Sequence, residues 1–144
     1  MARSFPLAGL LRLRQVQQDQ AAIDLSAANA RVVEGTARQR RARSALGATS
    51  SEATSASVLY AVAASRAATR SMLAELQALD CDHRVSLDAA NTAFTAARAR
   101  SIGLEKLEIR FDDAVANGVL VAEQATLDEI SSTSWHRARE VDAG

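Results

Sequence analysis

The sequence predicts an all-α protein: an antiparallel two-helix coiled-coil hairpin with a long second helix. Its one proline is Pro6, so beyond the first few residues nothing interrupts a helix as proline does. Alanine accounts for 32 of the 144 residues, and Leu, Gln, Glu and Arg, also good helix formers, fill most of the rest. Only 3% of the residues are aromatic, which is too little bulk for an ordinary globular core. Long helices joined along a narrow seam fit this composition.

The charges of the two ends favour the antiparallel arrangement. Residues 1–47 contain eight arginines and three acidic residues, whereas residues 101–144 contain four basic and nine acidic residues. A hairpin brings these opposite charges together, whereas a parallel dimer places like charges side by side. The net charge of the whole chain is zero, which offers no general attraction to nucleic acid, so we expect no nucleic-acid partner.

The first helix is predicted over residues 5–46. Small or apolar side chains recur along it at alternating steps of three and four residues, the spacing of a coiled-coil seam. Polar residues and a glycine interrupt the pattern and weaken it. A second apolar set near its start widens the stripe enough to accept a further partner. The seam positions are Leu7, Leu11, Arg14, Gln18, Ala21, Leu25, Ala28, Val32, Gly35, Gln39, Ala42 and Leu46.

The bend is predicted over residues 47–56, the only segment dense in Gly, Ser and Thr. These residues favour turns and caps because their side chains compete for nearby backbone groups. Either Ser55 or Ser57 is a candidate N-cap for the next helix. With the bend near residue 51, Phe5 is expected beside residue 97.

The second helix is predicted over residues 57–138, followed by a frayed polar tail at 139–144, and the chain is expected to form one domain over 1–144. The seam steps irregularly from Leu104 to Leu107, which predicts a local change of supercoil at Gly103. The first part of this seam is Leu73, Leu76, Asp80, His83, Leu87, Ala90, Phe94, Ala97, Ser101 and Leu104. The second part is Leu107, Phe111, Ala114, Gly118, Val121 and Ala125.

Chemistry-bearing residues are sparse. Asp80, Cys81, Asp82 and His83 are the only cluster of metal-ligand types, but consecutive helical residues point in different directions. Cys81 is the only cysteine, which fits a reducing compartment, and the other histidine, His136, lies in the tail. Glycine-rich phosphate loops and nucleophile motifs are missing from the sequence. We therefore expect no catalytic, cofactor-binding or metal-binding residues, and no enzymatic activity.

Two features near the bend have alternative interpretations. The basic cluster Arg38, Arg40, Arg41 and Arg43 is either a solvated helix face or a docking patch for an acidic protein surface. Tyr60 is either an exposed anchor for a partner or packed on the facing helix. The sequence does not decide between them.

Both ends of the chain resemble the FliJ family, the stalk proteins of the flagellar type III export apparatus. The N-terminal similarity lies in Phe5, the run Leu10-Leu11-Arg12-Leu13-Arg14 and the alanine- and leucine-rich heptads that follow. The C-terminal similarity lies in the stretch from Leu104 to Phe111 and in residues near Leu127 and Ile130. Residues 48–100 are similar only in character, and the C-terminal helix is less basic than is typical of the family.

The resemblance implies a two-helix stalk whose open end, built from both termini, inserts into the pore of the hexameric export ATPase. It further implies contact with the cytoplasmic domain of the export gate and with export chaperones, and a cytoplasmic location held at the inner membrane only through partners. The implied ATPase-facing residues are Leu7, Leu11, Arg14, Leu120, Leu127, Ile130 and Trp135. The implied gate-facing residues are Arg41, Leu46, Leu59 and Tyr60. A generic cytoplasmic coiled-coil scaffold or holdase chaperone without an ATPase partner is the alternative.

Overall fold

The computed structural model is an all-α helical hairpin, as the sequence predicts, and it describes residues 4–49, 52 and 54–142. Helix α1 spans Ala8–Ala48 and helix α2 spans Ala56–Asp142. The fold divides into two compact units. The terminal unit comprises residues 1–14 and 100–144, and the central unit comprises residues 15–99. The expectation of a single domain stays a prediction.

Helix α1 begins three residues later than predicted. Pro6 and Leu7 form a turn, which is closed by a 3.2 Å hydrogen bond from the amide of Ala8 to the carbonyl of Phe5. The amide of Leu11 then donates to Leu7 at 2.9 Å, in the pattern of an α-helix. Pro6 therefore precedes the helix and does not sit in its first turn.

The connection between the helices is shorter than the predicted bend. Gly47 belongs to α1, and Ala56 belongs to α2. Three residues of the predicted bend, 50, 51 and 53, lie outside the described residues. At the other end of α2 the helix continues through Asp142, past the predicted end at 138, and residues 143 and 144 of the predicted tail are also outside the described residues.

Ser55 is the N-cap of α2. Its hydroxyl accepts a 3.3 Å hydrogen bond from the amide of Val58, and its carbonyl accepts a 3.0 Å bond from the amide of Leu59. This is the capping geometry that satisfies an otherwise unpaired amide in the first turn. The hydroxyl of Ser57 lies 2.9 Å from that of Ser55 and does not cap the helix. Of the two candidates, the first is confirmed.

Replacing Ser55 by alanine should therefore destabilise the hairpin by about 1 kcal/mol, because the first turn of α2 loses its cap. Thermal denaturation followed by circular dichroism measures the effect. Ser57→Ala is the matched control and should change the stability by less than half as much. Equal losses at the two serines would contradict the assignment of the cap.

The central unit packs α1 against α2 along a narrow seam. Every seam position predicted for α1 between Gln18 and Leu46 is buried or half-buried, and so is every one predicted for α2 between Leu73 and Ala97. The α2 side also extends towards the connection through three residues that the prediction omits: Val62, Arg66 and Thr69. In a two-helix hairpin each helix is covered by the other on one side only. Most seam residues are therefore half-buried, and the apolar residues of this unit that are buried are Ala28 and Ala42.

The terminal unit contradicts the predicted change of supercoil at Gly103. Its α2 seam runs through Ser101, Leu104, Glu108, Phe111 and Val115 at alternating steps of three and four residues, and Ile102 beside this line is half-buried as well. Of the second part of the predicted seam only Phe111 is covered. Leu107 is 45% exposed, and the other positions of that part are exposed too: Ala114, Gly118, Val121 and Ala125. A glycine in a helix with helical backbone angles lowers helix propensity, but it does not by itself shift a heptad.

Phe5 also lies further along α2 than predicted. Its ring contacts the ring of Phe111, with centroids 5.7 Å apart, and not residue 97. The reason is visible in the central unit, where Arg66 donates a 3.1 Å hydrogen bond to the carbonyl of Thr49 just after α1 ends. Residue 49 thus faces residue 66. A symmetrical bend near residue 51 would instead have paired residue 49 with a residue of α2 much closer to the connection. The first turns of α2 precede the paired region.

Candidate interaction surfaces

The clearest candidate site is a stretch of helix without a partner. From residue 116 to residue 139, here called the C-terminal segment, every side chain of α2 is exposed. At about 1.5 Å per residue this stretch is ~35 Å long. Several large apolar side chains are among those exposed: Val119, Leu120, Val121, Leu127, Ile130 and Trp135. An exposed apolar surface of this extent is typical of a protein-binding site.

The tryptophan in this segment contacts only its own helix. The guanidinium of Arg139 lies 4.6 Å from the ring centroid of Trp135, and the ring of His136 lies 5.6 Å away. Trp135 is nevertheless 57% exposed. It is the only tryptophan in the sequence, so its fluorescence reports specifically on this segment.

The three ATPase-facing candidates on α1 differ in accessibility. Leu7 is exposed, whereas Arg14 is half-buried and Leu11 is only 5% exposed. Leu11 is the buried apolar residue of the terminal unit, because it packs in the seam with α2. The side chain of Leu11 is covered within the hairpin. Leu7 and the C-terminal segment are therefore accessible to a partner in this conformation, and Leu11 is not.

The gate-facing candidates are mostly accessible. Arg41, Leu59 and Tyr60 are exposed, the last of these 77%, and Leu46 is half-buried in the seam. Of the two interpretations of Tyr60, packing on the facing helix is therefore excluded in this structure. Its role as an anchor stays a prediction.

The basic cluster forms part of a groove in the central unit. The groove is an open cavity of about 370 Å³, with small and apolar residues at its floor and two arginines at its edge. Its lining residues are Arg38, Arg41, Ala42, Ala45, Met72 and Leu76, here called the arginine groove. Arg38 pairs with Glu34 one turn away. Arg41 has no ion pair or hydrogen bond to any described residue.

A polar contact that sequence reasoning missed holds the seam in register. Gln39 is buried, its side-chain amide donates a 3.2 Å hydrogen bond to the carbonyl of Leu76, and its oxygen faces Arg43 at 3.5 Å. A buried amide is tolerated where its donor and acceptor both find partners, and at Gln39 both do. The sequence showed this glutamine merely as a weak seam position. Whether Gln39 stabilises the seam depends on the groups that its side-chain amide meets on α2.

Two members of the predicted cluster of metal-ligand types, Asp80 and His83, lie in the seam. Asp80 accepts a 2.7 Å hydrogen bond from Arg84, which raises the pKa of that arginine. The other carboxylate oxygen of Asp80 and Nδ1 of His83 are buried without a hydrogen-bond partner, beside a cavity of about 210 Å³. Cys81 is exposed, on another face of the helix. Among the described residues no three His, Cys, Asp or Glu side chains are grouped to hold a metal ion.

Gly35 faces this cluster, and its replacement by alanine should stabilise the hairpin. A Cβ at Gly35 would lie 3.5 Å from Nδ1 of His83, an ordinary van der Waals contact, and the backbone there is helical. The expected gain is about 0.5–1 kcal/mol from helix propensity. Denaturant unfolding measures it. Gly35→Leu is the comparison: its longer side chain should clash with the histidine and lose stability, and a gain as large as alanine's would contradict the close approach.

The fold is an all-α helical hairpin, and residues 116–139 of its second helix are exposed. No helix in the described part of the chain has the length and apolar character needed to cross a membrane. No protein-family model matches the chain, and neither a curated protein nor a solved structure shows significant similarity to it. Function must therefore be argued from the residues themselves.

Proposed function

We propose that the protein is a non-enzymatic accessory stalk of the flagellar type III protein export apparatus. It inserts into the hexameric export ATPase, promotes assembly or activity of that ring, and links it to the export gate and to export chaperones. In this proposal it is cytoplasmic and reaches the inner membrane at the flagellar base only through its partners. The proposal rests on the resemblance of both chain ends to the FliJ family, on the hairpin and on the surfaces described above.

The observation that supports it most is the C-terminal segment. A helix that extends beyond its partner with Leu120, Leu127 and Ile130 exposed is suited to burial inside a ring of subunits. Isolated in water, this segment has no packed face to stabilise it. A surrounding protein surface would supply that packing.

The terminal unit adds a second argument. It contains the start of α1 as well as the C-terminal segment, and the contact between Phe5 and Phe111 holds the two helices together there. Leu7 is exposed in the same unit. A ring pore would thus meet apolar residues from both ends of the chain, as the resemblance implies.

The proposed link to the export gate rests on the other end of the hairpin. Leu59 and Tyr60 are exposed in the first turns of α2. Arg41, in the last third of α1, is exposed as well and has no ion pair with any described residue. Exposed aromatic and arginine side chains are the commonest anchors of protein interfaces. Replacing Tyr60 by alanine should weaken gate binding without weakening ATPase binding.

The test is direct. The purified chain is titrated into the purified flagellar export ATPase from the same organism, and ATP hydrolysis and hexamer formation are measured together. We expect both to increase, with a change in Trp135 fluorescence at the same concentrations of ATPase. Unchanged hydrolysis, assembly and fluorescence would refute the proposal.

The alternative is a coiled-coil scaffold or holdase chaperone, which the same exposed apolar residues also favour. A holdase suppresses the aggregation of unrelated unfolded proteins and does not depend on an ATPase. Suppression of aggregation of a denatured model enzyme, combined with no effect on the export ATPase, would support this alternative.

A further inference from the structure

We propose that the C-terminal segment of one copy of the chain packs into the arginine groove of a second copy. The contact uses the same face of the C-terminal segment as the proposed ATPase contact, and its test needs no ATPase. It joins an acidic, apolar helix face without a partner to a basic, apolar groove without an occupant.

The groove has an apolar lining and two arginines, of which Arg38 is paired with Glu34 and Arg41 has no ion pair with any described residue. Ala42, Ala45, Met72 and Leu76 form the floor, and Met72 is 53% exposed. The lining contains no acidic residue. A helix laid along such a groove would contact both α1 and α2, as a third helix does in a bundle.

The C-terminal segment presents a matching face. Leu120, Glu123, Leu127 and Ile130 follow one another at steps of three, four and three residues, which places them on one side of the helix. The carboxylate of Glu123 therefore lies between apolar side chains. It has no hydrogen bond or ion pair with any residue that the structure describes.

Charge and connectivity together identify the occupant. Pairing of two C-terminal segments in parallel would place Glu123 against Glu123, which is repulsive, whereas the groove places it against Arg41. Met72 and Glu123 belong to one uninterrupted helix, so the segment reaches a groove of this kind only on another copy. Docking an amphipathic helix into an apolar groove is a common mode of recognition.

The test is self-association of the full chain without any other protein, measured by sedimentation velocity over a range of concentrations at low and high salt. We expect concentration-dependent association that weakens with salt and that changes the fluorescence of Trp135. Arg41→Glu and Glu123→Arg should each weaken it about tenfold or more. Because their charges complement each other, the double variant, and a mixture of the two single variants, should associate again.

The controls are Arg98→Glu and Glu105→Arg, exposed charge reversals on α2 outside both surfaces, which should leave association unchanged. Circular dichroism shows whether each variant keeps its helicity. Three results would overturn the proposal: a chain that stays monomeric, single reversals without effect, or no recovery in the mixture. Because no ATPase is present, each leaves the proposed function standing.

Discussion

Replacing Leu120 and Leu127 together by aspartate should abolish stimulation of the export ATPase. Both side chains are more than 60% exposed in the C-terminal segment, so the folded hairpin does not depend on them. A buried apolar anchor contributes about 1–2 kcal/mol or more to a protein interface, so losing two should weaken binding by at least about thirtyfold. Titration into the ATPase, with hydrolysis as the readout, measures the loss.

The matched control replaces Val33 and Val85 by aspartate. These residues are 62% and 70% exposed, but they lie in the central unit. The control should stimulate the ATPase as the wild type does, because it changes the same kind of surface elsewhere. If both double variants stimulate normally, the C-terminal segment is not the contact. If both fail, general acidity is the cause, and the segment has no special role.

Replacing Leu11 by aspartate should detach the start of α1 from α2. Leu11 is 5% exposed and lies in the seam of the terminal unit, so an aspartate at this position would place a charge in a buried apolar site. Loss of the apolar contact together with burial of a charge should cost about 3–5 kcal/mol locally. Hydrogen exchange of the amides of residues 8–14 measures it, since these amides exchange quickly once the helix end is released.

Leu10→Asp is the control for that variant. Leu10 is the preceding residue of the same helix and is 40% exposed, so its replacement changes charge and propensity equally but leaves the seam intact. Exchange in this control should stay close to that of the wild type. Equal acceleration in the two variants would show that the seam at Leu11 does not hold the helix end.

Because Leu11 is buried and the C-terminal segment is exposed, variants at the two places differ in what they show about the ATPase contact. A change at Leu11 disturbs the hairpin, so loss of ATPase binding would not separate a lost contact from a lost fold. The exposed residues of the C-terminal segment avoid this ambiguity. Leu7, exposed on the same helix, is the position at which the contribution of α1 to the ring can be measured.

Much of the fold was predictable because helix propensity and apolar spacing are local properties of a sequence. The seam from Gln18 to Leu46, and the seam from Leu73 to Ala97, are covered where the three-and-four spacing predicted. The cap at Ser55 was one of two candidates, because a hydroxyl at the end of a Ser- and Thr-rich connection is a strong local signal. Tertiary contacts did not alter these features.

The errors in the predicted seam lie on α2. The supposed shift at Gly103 came from placing Leu107 in the seam because it is apolar, whereas the structure covers Glu108 and leaves Leu107 exposed. The predicted seam of α2 began at Leu73 and so omitted Val62, Arg66 and Thr69. The guanidinium of Arg66 bonds the carbonyl of Thr49 while its chain lies in the seam. Side-chain polarity is a guide to burial only where the facing helix offers no polar group.

The sequence by itself determined that this chain forms two long helices, and which residues of the central unit line the seam between them. The tertiary structure alone decided which residues face one another, Phe5 against Phe111 and Gln39 against Leu76. It also left Leu120, Leu127 and Ile130 exposed. A heptad repeats every seven residues and so permits several alignments of two helices. Specific polar partners and the length of the connection select one alignment of the two helices. In this alignment residues 116–139 of α2 are exposed.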